Sequence, residues 1–307
     1  MSTVEPIVVA DLARVERELL RIRTAEGGSS VRATTLNLVA VAAEPEQLAR
    51  TMDALQLIGG SRPLRAIVNV PGDGPTSAEV SSSAWHNPSG HEVRSEQMIV
   101  RGLPGALPSA VASLVIPDLP VFLLWNGKVG EQRELFQRLA ADATRLILDS
   151  DECGLGELIE AATLGPPVTD LAWARLTPWR EAVASLTDSA DGQAMLSRSM
   201  GVEVCGPDNE AALVAGWVRS RLGRQLGFHH EPHAGGVTRI RIDCGRHDLL
   251  VERTGKGDVG LARGGDNPGH TVMLPCPDWA ALLASQLDRL GRDRVFDAAL
   301  AAAENSL

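Results

Sequence analysis

Tyrosine is absent from this chain of 307 residues, and phenylalanine and cysteine occur only four times each. The cysteines are Cys153, Cys205, Cys244 and Cys276, and each is isolated. No Cys-x-x-Cys pair is present to build a zinc site or a thioredoxin-like motif. In a reducing cytosol these groups stay as thiols. We therefore expect no cysteine-based metal centre and only weak redox control.

Long apolar runs and basic stripes are also missing. No stretch approaches the roughly 20 apolar residues that cross a bilayer. Residues 1–20 are acidic and amphipathic, unlike a signal peptide. The net charge of -10 disfavours nucleic acid and anionic membranes as partners. The sequence predicts a cytoplasmic chain whose partner is a protein or a small molecule in a buried site.

Recognised catalytic and cofactor-binding motifs are equally scarce. The sequence has no Walker phosphate loop and no Gly-x-Ser-x-Gly nucleophile elbow. The nearest approach to a dinucleotide fingerprint is Gly154-Leu155-Gly156, whose flanking residues favour a plain turn. We expect no catalytic residue and no cofactor.

A histidine-rich segment is the strongest candidate for chemistry. His229, His230 and His233 lie within five positions, together with Glu231 and Pro232. The spacing does not fit His-Glu-x-x-His, and proline would break the helix that this motif needs. A polar loop that binds no metal is the expectation. A metal-dependent enzyme built on these histidines is the alternative.

Arg62, Arg65 and Glu96 form a second polar group of interest. Both arginines are predicted at the end of a crossover helix, beside the start of a strand, where they could meet a phosphate or a carboxylate. Glu96 falls within a strand, and a buried glutamate there would need one of these arginines as its partner. We interpret the pairing as structural.

The length of 307 residues predicts about two domains, and the apolar content of 44% is that of a globular protein. Residues 1–169 are predicted to form a three-layer α/β domain with a mixed sheet. A strand over 35–41, a helix from Pro45 and a strand over 64–70 make a βαβ unit with parallel strands. The other elements predicted here are a helix over 11–23, a linker over 27–30, a hairpin over 77–101 that turns at 87–90, a short helix within 102–114, a strand over 119–125, a helix over 129–140 and a strand over 144–149.

Residues 170–307 are predicted to form a smaller α+β domain, with 170–200 as a connecting helix. Four short runs between 237 and 274 are separated by glycine-rich turns and predict an antiparallel sheet. The remaining predicted elements are a strand over 202–205 and helices over 209–226, 278–290 and 293–304.

The stretch 170–181 holds two of the six tryptophans, Trp173 and Trp179. Thr177 is predicted as a helix N-cap, followed by Pro178 in the first turn. Arg175 and Arg180 flank the tryptophans. The residues alone favour a helix that packs two domains together, and the alternative is a helix that anchors a partner protein.

Four segments stand out in order along the chain: 35–40 (TLNLVA), 95–97 (SEQ), 116–125 (IPDLPVFLLW) and 170–181 (DLAWARLTPWRE). Together they resemble the OpcA family, the bacterial proteins that assemble and activate glucose-6-phosphate dehydrogenase. Two departures are visible. Residues 60–65 (GSRPLR) replace a segment expected to contain histidine and cysteine, and Ser95 stands where many relatives carry cysteine.

The resemblance implies a non-catalytic assembly factor or allosteric activator in the oxidative pentose phosphate pathway, with glucose-6-phosphate dehydrogenase as its partner. On this basis we expect Trp173 and Trp179 to hold the fold and Arg175 or Arg180 to contact the partner. Besides the metal-dependent enzyme, a small-ligand sensor is an alternative. Its site would lie at the strand ends near Trp125 and Asn126.

Overall fold

A computed structural model describes residues 2–3, 7–25, 34–60, 62–86, 92–255, 257–265 and 267–304. The linker predicted at 27–30 and the hairpin turn predicted at 87–90 lie outside the described residues. Contacts divide the chain into two compact units. Unit 1 comprises 1–153, 160–169 and 279–291, and unit 2 comprises 154–159, 170–278 and 292–307.

Helices and strands occur throughout the described residues. The helices are α1 (Val15–Ala25), α2 (Pro45–Gly59), α3 (Leu107–Leu114), α4 (Arg133–Ala140), α5 (Ser150–Cys153), α6 (Leu155–Ala162), α7 (Leu171–Arg175), α8 (Thr177–Leu186), α9 (Ala190–Ser197), α10 (Asp208–Leu222), α11 (Trp279–Gln286) and α12 (Arg294–Glu304), with 3₁₀ turns at Leu12–Arg14 and Gly130–Gln132. The strands are β1 (Ser2–Thr3), β2 (Ile7–Val9), β3 (Asn37–Val41), β4 (Arg65–Pro71), β5 (Ser77–His86), β6 (Glu92–Gly102), β7 (Val121–Trp125), β8 (Arg145–Leu148), β9 (Val168–Asp170), β10 (Gly201–Gly206), β11 (Gly227–Pro232), β12 (Arg239–Asp243), β13 (Asp248–Arg253), β14 (Val259–Gly264) and β15 (His270–Met273).

The first sheet has the strand order β1-β5-β6-β4-β3-β7-β8-β9, and β2 also pairs with β5. Strand β3 runs parallel to both β4 and β7, so the predicted parallel βαβ unit is confirmed. Hairpin β5–β6 is antiparallel, whereas β6 is parallel to β4. The sheet is therefore mixed, and the α/β class predicted from the sequence is confirmed.

Helix α2 shows how local sequence starts an element of this sheet. Pro45 occupies the first turn, where its missing N–H costs nothing. The side-chain oxygen of Gln47 accepts from the backbone N–H of Ala43 at 2.9 Å and of Glu44 at 3.2 Å. Leu55 and Ile58 then face the core. The start of this helix was predictable from its proline alone.

Helix α11 corrects the predicted domain boundaries. The sequence places 278–290 in the C-terminal domain, but residues 279–291 belong to unit 1 because α11 packs against α2. The guanidinium carbon of Arg50 lies 4.4 Å from the ring centroid of Trp279 in this contact. A helix far along the sequence thus completes unit 1.

The connecting helix predicted over 170–200 is wrong, because the segment forms three short helices, α7, α8 and α9. The hydroxyl of Ser189 accepts from the backbone N–H of Gly192 at 3.0 Å and caps α9. Helix α9 therefore begins as a helix separate from α8. The predicted N-cap is displaced as well. Leu176 holds the N-cap position of α8, and Thr177 already lies inside the helix.

The second sheet has the order β11-β10-β12-β13-β14-β15. Neighbours from β10 to β15 along this path are antiparallel, as predicted for the four strands between 237 and 274. Strand β11 pairs parallel with β10. Helix α10 ends at Leu222, four residues before the predicted Leu226, because Gly223 adopts a left-handed conformation with φ 62°.

The two faces of the second sheet differ in burial. Helices α8 and α10 pack on the face that presents Val204, Ile240 and Val251, all fully buried. Side chains of opposite parity, such as Glu203 and Arg241, remain partly exposed. We call this second surface, made by the outward side chains of β10–β15, the open face.

In the described ranges no helix is long and apolar enough to span a membrane.

Candidate functional site

Both tryptophans of 170–181 are buried inside unit 2, with exposed fractions of 4% for Trp173 and 3% for Trp179. The carboxylate of Asp170 caps α7 by accepting from the N–H of Ala172 at 3.1 Å. The indole N–H of Trp173 donates to Asp293 at 3.2 Å, and Asp293 also caps α12. The tryptophans therefore connect α7 and α8 to the core of unit 2.

Arg175 and Arg180 are engaged within the same unit. The Nε of Arg175 donates to Glu210 at 2.9 Å, and the two side chains are 21% and 4% exposed. Arg180 stacks over Trp173 at 3.6 Å and donates to Thr177 at 2.9 Å. The prediction that one of these arginines contacts a partner stays a prediction, and the contacts seen here are internal.

Arg65 and Glu96 meet in unit 1, as proposed from the sequence. Both are almost fully buried, and Nε and Nη2 of Arg65 donate to one carboxylate oxygen of Glu96 at 2.8 and 2.6 Å. Burial alone would lower the pKa of the Arg65 guanidinium, but its hydrogen bond to Glu16 and the charge of Glu96 raise that pKa above its ordinary value. This pair is fixed in the core and is not available to a ligand.

Arg62 has a different partner from the Glu96 considered in the sequence. Its guanidinium pairs with Asp288, next to α11. Arg62 and Arg65 thus end in separate contacts, and the structure does not bring them together as one anion-binding pair.

The histidine-rich segment is a strand, so the predicted loop is wrong. His229 and His230 are successive residues of β11 and point to opposite faces of the sheet. His230 Nε2 lies 2.8 Å from the carbonyl of Gly206, and His233 Nδ1 lies 3.2 Å from the N–H of Gly235. Among the described residues no group of three or more His, Cys, Asp or Glu side chains is placed to hold a metal.

The strand ends near Trp125 and Asn126 are filled by the protein's own side chains. Asn126 is buried, donates to the carbonyl of Val41 at 2.8 Å and accepts from Arg50 at 3.1 Å. Arg50 also pairs with Glu152, whose other oxygen accepts from the N–H of Gly127 at 2.9 Å. The groups that a small ligand would bind at this edge already bind one another.

The open face of unit 2 carries a pocket that the sequence reasoning missed. Gly201 of β10 lies directly opposite Gly227 of β11, so two neighbouring side-chain positions are empty. The resulting pocket has a volume of about 340 Å³. Its lining is Met200, Gly201, Val202, Glu203, Gly227, Phe228, His229, Arg241 and Asp243. Two glycines 26 positions apart signal a pocket only once the strand register is known.

A charged network surrounds this pocket on the open face. Arg241 donates to Asp248 at 2.9 Å and to Glu203 at 3.4 Å. Arg239 donates to Glu203 at 2.7 Å and to Glu231 at 2.6 Å. Hydrogen bonds to these carboxylates, Asp248 for Arg241 and Glu203 for Arg239, raise the pKa of both guanidinium groups. This part of the face is therefore polar, with two arginines of β12 bound by carboxylates of β10, β11 and β13.

Comparison with known proteins adds three relatives, each named OxPP cycle protein OpcA. The one from Nostoc punctiforme is 33% identical over 177 residues, covering 53% of this chain and 37% of the relative. The one from Synechocystis is 25% identical over 258 residues, covering 67% and 54%. The one from Synechococcus elongatus is 28% identical over 306 residues, covering 80% and 68%. The matches thus span from about a third to two thirds of the relatives' length.

Solved structures resemble the chain only loosely. An oxidoreductase from Bacillus subtilis aligns with a TM-score of 0.46 and 9% identity over 88% of this chain and 95% of its own. An oxidoreductase from Sinorhizobium meliloti aligns with a TM-score of 0.42 and 10% identity over 89% and 96%.

Two family models match successive parts of the sequence. Residues 56–162 match the model of the N-terminal domain of a glucose-6-phosphate dehydrogenase subunit. Residues 166–300 match the model of the C-terminal domain of the same protein. Together with the three relatives, these matches cover most of the chain in the expected order. The chain belongs to the OpcA family.

Proposed function

We propose that this chain binds glucose-6-phosphate dehydrogenase and, without catalysing a reaction itself, assists the assembly or activation of that enzyme in the oxidative pentose phosphate pathway. The observation that carries the proposal is the match of both parts of the chain to the two domains of a dehydrogenase subunit. The same pathway is named in the three relatives.

The geometry agrees with a binding role. Several of the charged groups singled out in the sequence are held in internal contacts, as with Arg65 and Glu96 in unit 1 and Arg175, which pairs with Glu210, in unit 2. The open face of unit 2 instead offers an ordered sheet surface with exposed polar and apolar side chains. A rigid sheet surface can bind a partner with little loss of conformational entropy.

Activation by binding requires a preference between two states of the enzyme. A protein that binds the active assembly more tightly than the inactive form shifts the population by that difference in affinity. Linkage then demands the reverse effect, so a ligand that favours the active enzyme strengthens its binding to this chain by the same factor.

The test is a titration of the host's dehydrogenase with the purified chain. Enzyme activity and the distribution of oligomers by sedimentation are followed together. We expect co-elution, a saturating change in activity or assembly, and no turnover of glucose 6-phosphate by the chain alone. An unrelated acidic protein of similar size is the control. Absence of both co-elution and any activity change at tens of micromolar protein would contradict the proposal.

A further inference from the structure

The open face of unit 2 has the features of a docking surface. Apolar side chains border its charged network: Met200 is 59% exposed before β10, and Met273 is 64% exposed on β15. Met273 lies opposite Val259 of β14, which is also exposed. Methionine side chains adapt their shape and are common at binding surfaces. Exposed apolar side chains beside a polar network supply contact area that a protein partner can cover.

The pocket beside Gly201 and Gly227, called the glycine pocket below, is a concave site on the open face. A side chain at Gly201 would lie 3.5 Å from the carbonyl oxygen of Gly227, and one at Gly227 would lie 3.5 Å from the carbonyl oxygen of Met200. These are ordinary van der Waals distances, so the backbone tolerates larger residues at both positions. The pocket therefore exists because both positions hold glycine. Its volume of about 340 Å³ accommodates one long side chain.

The charges near the pocket select the kind of side chain. Glu203 and Asp243 line it together with the guanidinium of Arg241. Arg241 is already shared between Asp248 and Glu203, and Arg239 between Glu203 and Glu231. Four carboxylates thus surround two guanidinium groups. A positively charged group in the pocket is attracted by this excess of carboxylates, whereas a carboxylate or phosphate would be repelled by it.

We infer that the pocket between β10 and β11 receives an arginine side chain from the surface of the dehydrogenase. Arginine fits better than lysine because its planar guanidinium can bind two carboxylates at once. Asp243 and Glu203 bind its guanidinium, and the exposed apolar residues of the open face contact the surrounding surface. This inference rests on the proposed function and specifies the surface that performs it.

Two variants of the full chain test the inference without entering the core. Gly227→Val fills the pocket with a residue that favours strands. Asp243→Asn removes one negative charge but keeps the oxygen that accepts from the N–H of Gly245 at 2.8 Å. Gly74→Val is the matched control, since a side chain at Gly74 in unit 1 meets nothing within 4 Å.

Affinity for the dehydrogenase is measured by calorimetry at low and high salt, and melting temperature is measured in parallel. We expect Gly227→Val to weaken binding about tenfold or more, and Asp243→Asn to weaken it about threefold and reduce its salt dependence. Gly74→Val should bind like the natural chain. All three should melt close to it.

The possible outcomes separate the inference from the proposed function. If the natural chain and all variants bind equally, the docking surface lies elsewhere and the proposed function stands. If the natural chain does not bind the dehydrogenase, the proposed function fails and this inference fails with it. If Gly227→Val does not fold, Asp243→Asn still tests the inference: unchanged affinity and unchanged salt dependence would contradict it.

Discussion

Arg175 was predicted from the sequence to contact the partner protein, but its position is also accounted for by a structural contact inside unit 2. Its guanidinium neutralises Glu210, which is almost fully buried in the first turn of α10. A buried carboxylate that loses such a partner is costly. Because Arg175 is itself 21% exposed, solvent screens part of this effect.

We therefore expect Arg175→Ala to lower the free energy of unfolding by about 1–3 kcal/mol. The measurement is urea denaturation, with Arg221→Ala, an exposed position on the same helix α10, as the control. If Arg175 instead serves the partner, as the sequence predicted, the variant melts normally and loses about tenfold in affinity for the dehydrogenase.

Cysteine chemistry is a second matter at the scale of single residues. Cys153, Cys205 and Cys244 are buried, and Cys276 is exposed. Burial is the main reason that the pKa of the Cys244 thiol is raised to about 11, and the neighbouring carboxylates of Asp248 and Asp243 act in the same direction. A buried thiol with a high pKa holds little thiolate and reacts slowly. Weak redox control, expected from the sequence, remains a prediction, and rapid alkylation at Cys276 alone would agree with it.

The same thiol predicts how stability depends on alkaline pH. The pKa of Cys244 is raised on folding, so its contribution is complete below the unfolded pKa near 9 and is lost as pH rises toward 11. The loss should reach about 2–3 kcal/mol, measured as a falling urea midpoint between pH 8 and 11. The chain has no tyrosine, and its lysines are Lys128 and Lys256, so few other groups titrate there. Cys244→Ala should flatten the slope, and Cys276→Ala should leave it unchanged.

At the scale of elements, the contact between α10 and α12 depends on one glycine. A side-chain carbon at Gly216 would lie 2.2 Å from the carbonyl oxygen of Ala299 and 2.7 Å from the backbone nitrogen of Ala303. Both are backbone atoms that cannot move alone. Gly216 is therefore required by the close approach of the two helices.

Gly216→Ala should lower the free energy of unfolding by about 1–3 kcal/mol or more, because the helices must separate. Gly156→Ala in α6 is the control, since a side chain there meets nothing within 4 Å. Alanine is the better helix former, so that variant should be neutral or more stable by up to about 1 kcal/mol. Equal stability of the two variants in thermal unfolding would contradict this account.

The elements also show what sequence reasoning can reach. Strands β3, β4 and β7 are short, mostly apolar runs, and all three were predictable. Strand β11 was not, because its histidines and Glu231 give no apolar alternation at the edge of the sheet. The break between α8 and α9 was missed because it depends on the cap made by Ser189.

The candidate functional residues were also only partly predictable from the sequence. The Arg65–Glu96 pair was predictable because buried ionic groups require partners, and few were within reach. The glycine pocket was not, because Gly201 and Gly227 become neighbours only through the register of β10 and β11. A pattern within one element can be read from sequence, whereas a surface assembled from several strands depends on their pairing.

At the scale of the whole molecule, the two units do not correspond to two continuous pieces of chain. Unit 1 needs α11, whose Leu282 and Leu283 are buried, as is Leu287 just after it. Each such side chain contributes about 1.5–3 kcal/mol, a large fraction of the stability of an ordinary domain.

A fragment of residues 1–169 should therefore unfold at much lower urea concentration than a fragment in which 275–291 is joined to it by a flexible linker. The linked fragment should show one cooperative transition and bind little hydrophobic dye. Equal transitions for the two fragments would show that α11 does not complete unit 1.

The position of α11 also bears on how the protein forms in the cell. Translation proceeds from the N-terminus, and domains usually fold in the order in which they emerge from the ribosome. Here the first 169 residues emerge long before the segment 279–291 that completes unit 1. Unit 2 likewise waits for α12 to pack on α10. Both units therefore finish together after most of the chain has been made, and until then α2 remains a site where a chaperone can hold the nascent chain.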